Sequence, residues 1–257
     1  MKFEPALYNH PLLTEFQRER TEVVLVSPRN PLNIGAAARA MANFGFSCLT
    51  VVAPYEPHWR EAQSAVGAEG LLQNARCTQC LDEAVADCTL VIGTGTLAQR
   101  KPEQPVVSLP ALAPFVQQEL ARGGRVALVF GQEKRGLTRE DLSYCHLLVE
   151  IPTAPRQPSM NLGQAVAVCL YELAARLSSG DESAPAPDDV THTSSAELER
   201  LAAVVEQTML AANYSPAAMR EANRHDLRLL LRRLAFTGQD ARRILGLFRR
   251  ILWRLKK

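Results

Sequence analysis

The stretch EVVLVSPRNPLNIGAAARAM, residues 22–41, contains the most informative pattern for the fold class of this chain. Its first residues form an apolar, β-branched run, which predicts a short buried strand. Two prolines and two asparagines then predict a rigid turn, and a helix built almost entirely from Ala and Gly follows over residues 33–44. That helix carries one arginine, Arg39. A strand, a turn and a helix in this order are typical of an α/β unit.

Four further apolar runs continue the alternation along the chain. They lie at residues 48–53, 88–94, 125–130 and 146–151. Helical patterns separate or follow them at residues 59–74, 81–86, 111–122, 138–144 and 161–177. Short buried strands separated by helices predict an α/β domain with a largely parallel sheet.

The last third of the chain has a different composition. Residues 178–195, SSGDESAPAPDDVTHTSS, are polar, Pro-rich and acidic, which predicts a linker. Three amphipathic helices are predicted beyond it, at residues 196–212, 217–236 and 238–257. We therefore divide the chain into an N-terminal extension (1–21), an α/β domain (22–177), the linker (178–195) and a helical domain (196–257).

The net charge of +2 conceals a strong asymmetry between these parts. Residues 220–257 contain 12 basic and 3 acidic side chains, a net of +9, while the rest of the chain carries −7. A one-signed excess concentrated in one segment predicts an anionic partner for it. The alternative is a solvated amphipathic face without a partner.

Several classes of protein are disfavoured by the sequence. No apolar run approaches the roughly 20 residues that a membrane span needs, and the first twenty residues lack the apolar stretch of a signal peptide, so we expect a cytoplasmic protein without membrane contact. Cys77 and Cys80 form one C-x-x-C pair, but a zinc site would need two further ligands at suitable spacing. Reduced structural thiols are therefore expected, and no metal.

Four predicted strands end in loops that join Gly or Pro to polar residues. These loops are SPRNPLNIG (27–35), GTGT (93–96), FGQEKRGLT (130–138) and IPTAPRQPSMNLG (151–163). Ligands of open parallel sheets bind at such strand ends. The alternative is a set of tight turns, in which Thr138 and Asp141 form a capping box, Glu133 accepts from backbone donors at a helix entry, and Arg39 is solvated.

Three of these segments resemble the motifs of a known family. NIGAAAR, FGQEKRGLT and IP...PSMNLGQAVAV are similar to motifs one, two and three of the SpoU branch of the SPOUT RNA 2′-O-methyltransferases, over about residues 22–177. Met160 stands where the family usually has Leu, and GTGTLAQRK departs from the family's usual third-strand loop. The linker and basic extension further resemble members that methylate the anticodon loop of tRNA.

The resemblance implies a SPOUT α/β knot, a parallel sheet with a C-terminal trefoil knot, followed by a small all-α C-terminal domain. It also implies a homodimer and S-adenosylmethionine as methyl donor. The expected reaction is 2′-O-methylation of tRNA, at the pyrimidine of anticodon-loop position 32. The alternatives are 2′-O-methylation of rRNA and a non-catalytic RNA-binding protein with a relic pocket.

The motifs also carry residue roles over to this sequence. Arg39 would clamp a phosphate of the substrate, Asn33 would hold the ribose or its loop, Glu133 would brace motif two, and Asn161 would hold motif three. The expected cofactor residues are Thr94, Gly95, Thr96, Gly131, Ile151, Pro158, Ser159 and Met160. The expected RNA-binding residues are Arg224, Arg228, Arg232, Arg233, Arg242, Arg243, Arg249 and Arg250.

Overall fold

A computed structural model describes residues 13–95, 102–178, 192–214 and 216–257. Within these ranges seven parallel strands form one sheet, in the order β3-β2-β1-β6-β4-β7-β5. The strands are β1 (Thr21–Val26), β2 (Cys48–Val52), β3 (Arg76–Thr78), β4 (Leu90–Thr94), β5 (Val106–Ser108), β6 (Val126–Phe130) and β7 (Leu147–Glu150).

Ten α-helices lie within the same ranges. They are α1 (Glu15–Arg20), α2 (Pro31–Phe44), α3 (Glu69–Asn74), α4 (Leu81–Ala84), α5 (Ala113–Ala121), α6 (Arg139–Ser143), α7 (Leu162–Ser178), α8 (Ser195–Ala211), α9 (Arg220–Arg233) and α10 (Gly238–Leu255).

The five longer strands, β1, β2, β4, β6 and β7, are buried on both faces because helices cover both sides of the sheet. Val23 and Leu25 of β1 belong to the core on the side of α2, α5 and α7. Their neighbour Val24 belongs to the opposite core, with Leu81 of α4 and Leu142 of α6. This two-sided burial explains why the central strands appear in the sequence as continuous apolar runs rather than as alternating patterns.

The three C-terminal helices have a core of their own and also contact the α/β domain. Leu198 and Leu201 of α8 pack with Leu231 of α9 and with residues of α10. At the start of α8, the backbone N–H and the hydroxyl of Ser195 both donate to the carbonyl of Cys88, at 2.9 and 3.0 Å. The division of the chain at residues 178–195 stays a prediction, since residues 179–191 lie outside the described ranges.

The five predicted strands and most of the predicted helices are confirmed, with shifts of a few residues at their ends. The helix predicted over residues 59–74 is wrong, because only a 3-10 turn (Trp59–Glu61) and the short α3 form there. Between them Gly67 has a φ of +78°, a left-handed conformation that interrupts any helix. No helix in the described ranges is long and apolar enough to cross a membrane.

Candidate functional site

A cavity of about 250 Å³ lies where the loops after β4, β6 and β7 meet. Seven of the eight expected cofactor residues line it: Thr94, Gly95, Gly131, Ile151, Pro158, Ser159 and Met160. The eighth, Thr96, lies outside the described residues. The cavity therefore stands at the carboxyl ends of parallel strands, where α/β sheets bind small ligands.

The loop after β6 folds tightly against β6, and the cavity lies beside this loop. The Gly136 N–H donates to the Gln132 carbonyl at 2.7 Å. A Cβ on Gly131 would stand only 2.1 Å from the backbone nitrogen of Leu137, so no larger residue fits without moving the loop. The capping box proposed for Thr138 and Asp141 is confirmed at the start of α6.

Glu133, on the rim of the cavity, connects motif two to motif one. Its carboxylate accepts hydrogen bonds from the backbone N–H groups of Arg29 and Asn30, both at 3.0 Å, and from the side chain of Asn33, also at 3.0 Å. Partial burial alone would raise the pKa of Glu133, but these donors outweigh it and hold the pKa below its usual range. Glu133 is therefore a carboxylate at neutral pH.

Asn33 also connects motif one to motif three. Because the carboxylate of Glu133 can only accept, Asn33 must present its NH₂ group there and keep its carbonyl oxygen free. That oxygen accepts from the side-chain amide of Asn161 at 2.9 Å. The Asn161 oxygen in turn accepts from the backbone N–H of Gln164 at 3.3 Å, at the start of α7. Glu133, Asn33 and Asn161 thus form one polar chain that joins all three motifs.

The small residues of α2 serve helix packing. A Cβ on Gly163 of α7 would stand 2.7 Å from the Cβ of Ala36, so the two helices approach closely here. Arg39 lies three residues after Ala36, on the same side of α2 and one turn further along. Its side chain is exposed and has no hydrogen-bond or ion-pair partner in the described part of the chain. It does not line the cavity. In the single chain Arg39 is therefore solvated, as the alternative in the sequence analysis had it.

Two of the expected RNA-binding arginines have a structural position instead. Arg228 and Arg232 are 9% and 4% exposed, and both pair with Glu199 of α8, at 3.0 and 3.1 Å. Arg232 also donates to the carbonyl of Tyr144 at 2.9 Å, while the guanidinium of Arg228 lies 4.2 Å from the centre of the Tyr144 ring. RNA cannot reach charges held in this way, so we remove these two residues from the expected surface.

The other expected RNA-binding residues differ in their surroundings. Arg224 is half-exposed and pairs with Glu206 at 2.9 Å, which neutralises much of its field. The remaining residues are exposed: Arg233, Arg242, Arg243, Arg249 and Arg250.

The sequence analysis missed four polar residues that line the cavity: Gln132, Lys134, Arg135 and Thr153. The first three lie inside the motif-two loop, so their position in that loop was the available signal. The hydroxyl of Thr153 donates to the Pro158 carbonyl at 3.2 Å and helps to shape the motif-three loop. No cluster of His, Cys, Asp and Glu suited to a metal ion occurs among the described residues.

A polar chain that links three loops beside a strand-end cavity is the arrangement of a ligand-binding α/β enzyme. The sequence profile of the SpoU rRNA Methylase family matches residues 20–171, and the chain belongs to that family.

Named relatives and a solved structure extend the similarity beyond the matched segment. The chain is 42% identical to the tRNA (cytidine/uridine/adenosine-2′-O-)-methyltransferase TrmJ of Pseudomonas aeruginosa over 156 residues, and this aligned segment covers 60% of each chain. It is 32% identical over 241 residues to the tRNA (cytidine/uridine-2′-O-)-methyltransferase TrmJ of Pectobacterium atrosepticum, covering 93% of this chain and 98% of the relative. The crystal structure of TrmJ from Z. mobilis ZM4 superposes with a TM-score of 0.77 at 30% identity, over 92% of this chain and 99% of that one.

Proposed function

We propose that this protein transfers a methyl group from S-adenosylmethionine to a ribose 2′-hydroxyl of tRNA, at the pyrimidine of anticodon-loop position 32. The observation that carries the proposal is the polar chain of Glu133, Asn33 and Asn161 beside the 250 Å³ cavity. The names of the similar TrmJ proteins support tRNA as substrate and the 2′-oxygen as acceptor. A tRNA substrate also agrees with the expected cytoplasmic location.

The cavity fits S-adenosylmethionine in its chemistry. Apolar side chains from Ile151, Met160 and Leu162 offer a surface for the adenine ring, and the Gly95 and Gly131 backbones leave the walls open to hydrogen bonding. The sulfonium of the bound donor supplies an activated methyl group, so positioning of the acceptor can provide much of the rate. The reaction needs no metal.

The residues of the polar chain act by holding the loops rather than by moving protons. Both ends of the Asn33 amide are engaged, by Glu133 and by Asn161. A network that is satisfied in this way is rigid, and it keeps motifs one, two and three in fixed register around the cavity. Of the roles suggested for Asn33, holding the loop is therefore the one we retain.

Arg39 has a separate role in this proposal. A guanidinium stays protonated in proteins and cannot accept the proton of the 2′-hydroxyl. Arg39 instead binds the phosphate next to the target ribose, orients the hydroxyl and stabilises the alkoxide that develops during transfer, while the hydroxyl proton leaves to that phosphate or to water. Since Arg39 does not line the cavity of its own chain, we propose a homodimer in which it reaches the site completed by the partner.

The fold and the RNA surface complete the proposal. We expect the segment that carries motifs two and three to be threaded into the trefoil knot of SPOUT proteins, with the cavity formed by the knot loops. The helices after the linker bind tRNA through the exposed cations of α10 and through Arg233, which have no acidic partner in the described ranges. No charge is needed from the buried arginines of α9.

The substitution Arg39→Ala tests the separation of cofactor binding from transfer. We expect methyl transfer to tRNA to fall about 10²- to 10³-fold, because a donor aimed at the developing oxyanion is removed. S-adenosylmethionine affinity measured by calorimetry should stay unchanged, since Arg39 is outside the cavity. Arg39→Lys should also fail, because one ammonium cannot replace a planar two-point grip on phosphate.

The control is Arg18→Ala, which removes another exposed arginine, located on α1, and should leave transfer intact. Wild-type turnover by Arg39→Ala would contradict the phosphate clamp. A folded wild-type protein that gives no heat with S-adenosylmethionine would contradict the cofactor assignment.

A further inference from the structure

Helix α10 has two chemically different faces. Its apolar face packs partly on α8 through Ile244, Leu245 and Phe248. The face on the opposite side is cationic: residues 241–257 contain seven basic and no acidic side chains. All seven are exposed: Arg242, Arg243, Arg249, Arg250, Arg254, Lys256 and Lys257.

One aromatic side chain, Trp253, stands in the middle of the cationic face. At about 100° per residue it lies roughly 160° around the helix from the midpoint of the apolar stripe formed by Leu247, Ile251 and Leu255. Residues three and four positions away are its neighbours on a helix surface, and all four of these positions hold cations: Arg249, Arg250, Lys256 and Lys257.

The surroundings of Trp253 are those of an exposed ring held by charges. Its exposed fraction is 43%. The Arg250 guanidinium carbon lies 4.6 Å from the ring centre, that of Arg254 at 5.6 Å, and the Lys257 ammonium nitrogen at 3.9 Å. Burial in a core does not account for a tryptophan in this position, because its helical neighbours are charged and point to solvent.

We propose that Trp253 is a stacking platform for an unpaired base of RNA, with the surrounding cations neutralising the adjoining phosphates. Exposed aromatic rings combined with a basic surface are how proteins bind single-stranded nucleic acid. The Arg250 guanidinium extends the flat surface on which a base can lie. The ligand class, an unpaired loop of RNA, rests on the proposed function and deepens it.

Charge and geometry disfavour the other occupants of this face. A second copy of α10 would bring the same cations into contact with these, and like charges in contact repel. A membrane-surface helix places its tryptophan with its leucines on the face that enters the lipid. Here Trp253 is on the opposite side from Leu247, Ile251 and Leu255.

Tryptophan fluorescence gives a direct test, because the chain has two tryptophans and Trp59 is buried, at 2% exposure. The full-length protein is titrated with a short oligouridylate at low salt. We expect saturable quenching in the wild type and no quenching in Trp253→Phe, whose remaining emission comes from Trp59. Equal quenching of both proteins, or none in the wild type, would overturn the proposal.

Binding of an unmodified tRNA transcript supplies the second measurement. Loss of one base–aromatic stack in Trp253→Ala should weaken the affinity about 5- to 150-fold. Trp253→Phe should retain part of the affinity. The matched control Leu247→Ala removes an exposed side chain of the apolar stripe and should bind tRNA normally. A fully paired RNA duplex should bind wild type and Trp253→Ala equally.

Two results would contradict the stacking platform. One is equal tRNA affinity of the wild type and Trp253→Ala. The other is binding to phosphatidylcholine–phosphatidylglycerol vesicles that both Trp253→Ala and Leu247→Ala abolish, which would assign this helix to a lipid surface. If the wild type quenches with oligouridylate but methylates no tRNA, the proposed function fails while this inference stands.

Discussion

Helices α9 and α10 each carry five arginines, but four of those on α9 face acidic side chains whereas those on α10 face solvent. On α9, Arg220 and Arg224 pair with Glu206, while Arg228 and Arg232 pair with Glu199. The arginines of α10 have no acidic partner among the residues that the structure describes.

The difference follows from spacing along the two helices. Arg220, Arg224, Arg228 and Arg232 recur every four residues, which sets them in one row along α9. Glu199 and Glu206 are seven residues apart and share one face of α8. The row and the two carboxylates meet where α8 and α9 pack. Arginine side chains therefore hold α9 against α8, whereas the arginine side chains of α10 are available to a ligand.

Arg232→Ala should produce the largest effect on stability among the arginines of the two helices. The substitution removes one of the two cations that pair with the Glu199 carboxylate and the hydrogen bond to the Tyr144 carbonyl. Breaking a buried ion pair by removing one partner costs about 3 to 5 kcal/mol. Burial lowers the pKa of Arg232, with Glu199 opposing it, as expected for a charge held inside the protein. Urea denaturation measures the decrease in the free energy of unfolding.

Its neighbour Arg233 gives a matched control, since it is exposed on the same helix. Arg233→Ala should change the free energy of unfolding by no more than about 0.5 kcal/mol. Equal denaturation midpoints for the two variants would show that the ion pairs between α8 and α9 contribute nothing to stability. Paired and solvent-facing arginines would then have the same effect on the free energy of unfolding.

A smaller effect, confined to RNA binding, is expected for the cations of α10. Replacing Arg242, Arg243, Arg249 and Arg250 by Gln should flatten the salt dependence of tRNA binding, by about 0.7 to 0.9 in the slope of log affinity against log salt for each phosphate that is no longer neutralised. Affinity for S-adenosylmethionine should not change. The measurement is tRNA binding at four or more salt concentrations.

Arg224→Gln separates paired from free charge in that experiment. Because Glu206 already accepts from Arg224, at 2.9 Å, its removal should leave the salt slope as it is. Parallel slopes for the wild type and the fourfold α10 variant would show that the solvent-facing cations do not contact RNA.

The charge pattern illustrates what a sequence alone can and cannot show. The net of +9 over residues 220–257 is a correct count, but Glu199 and Glu206 lie outside that window and neutralise arginines inside it. Charge acts through space, and the distance between α8 and α9 is not visible in sequence order. The four-residue spacing of the α9 arginines was the signal that could have indicated a packed face.

The two edge strands of the sheet also show what the sequence alone cannot predict. The five strands with long apolar runs were predictable because helices bury both of their faces. The two missed strands, β3 and β5, are three residues long, mostly exposed, and lie at the two ends of the strand order. Short edge strands bury little surface, so they carry no apolar run. Hydrogen bonding to β2 and β7 defines them instead.

The candidate site was predictable as a set of loops and only partly as a geometry. The motifs named Glu133, Asn33 and Asn161, but the direction of their hydrogen bonds follows from the acceptor-only carboxylate of Glu133 and from its distance to Asn33. The exposure of Arg39 depends on how α2 packs on α7, a contact between segments more than a hundred residues apart.

Mapping the methylated nucleotide is the decisive experiment for the proposed 2′-O-methylation of tRNA. The full-length protein is incubated with methyl-labelled S-adenosylmethionine and separate tRNA and rRNA transcripts, and the labelled nucleotide is located by nuclease digestion and mass spectrometry. We predict one labelled 2′-O-methylpyrimidine in the tRNA anticodon loop, at position 32, and labelling that is about 10²- to 10³-fold slower with Arg39→Ala. Label on a base, label only in rRNA, or no label from a folded protein that binds S-adenosylmethionine would contradict the account.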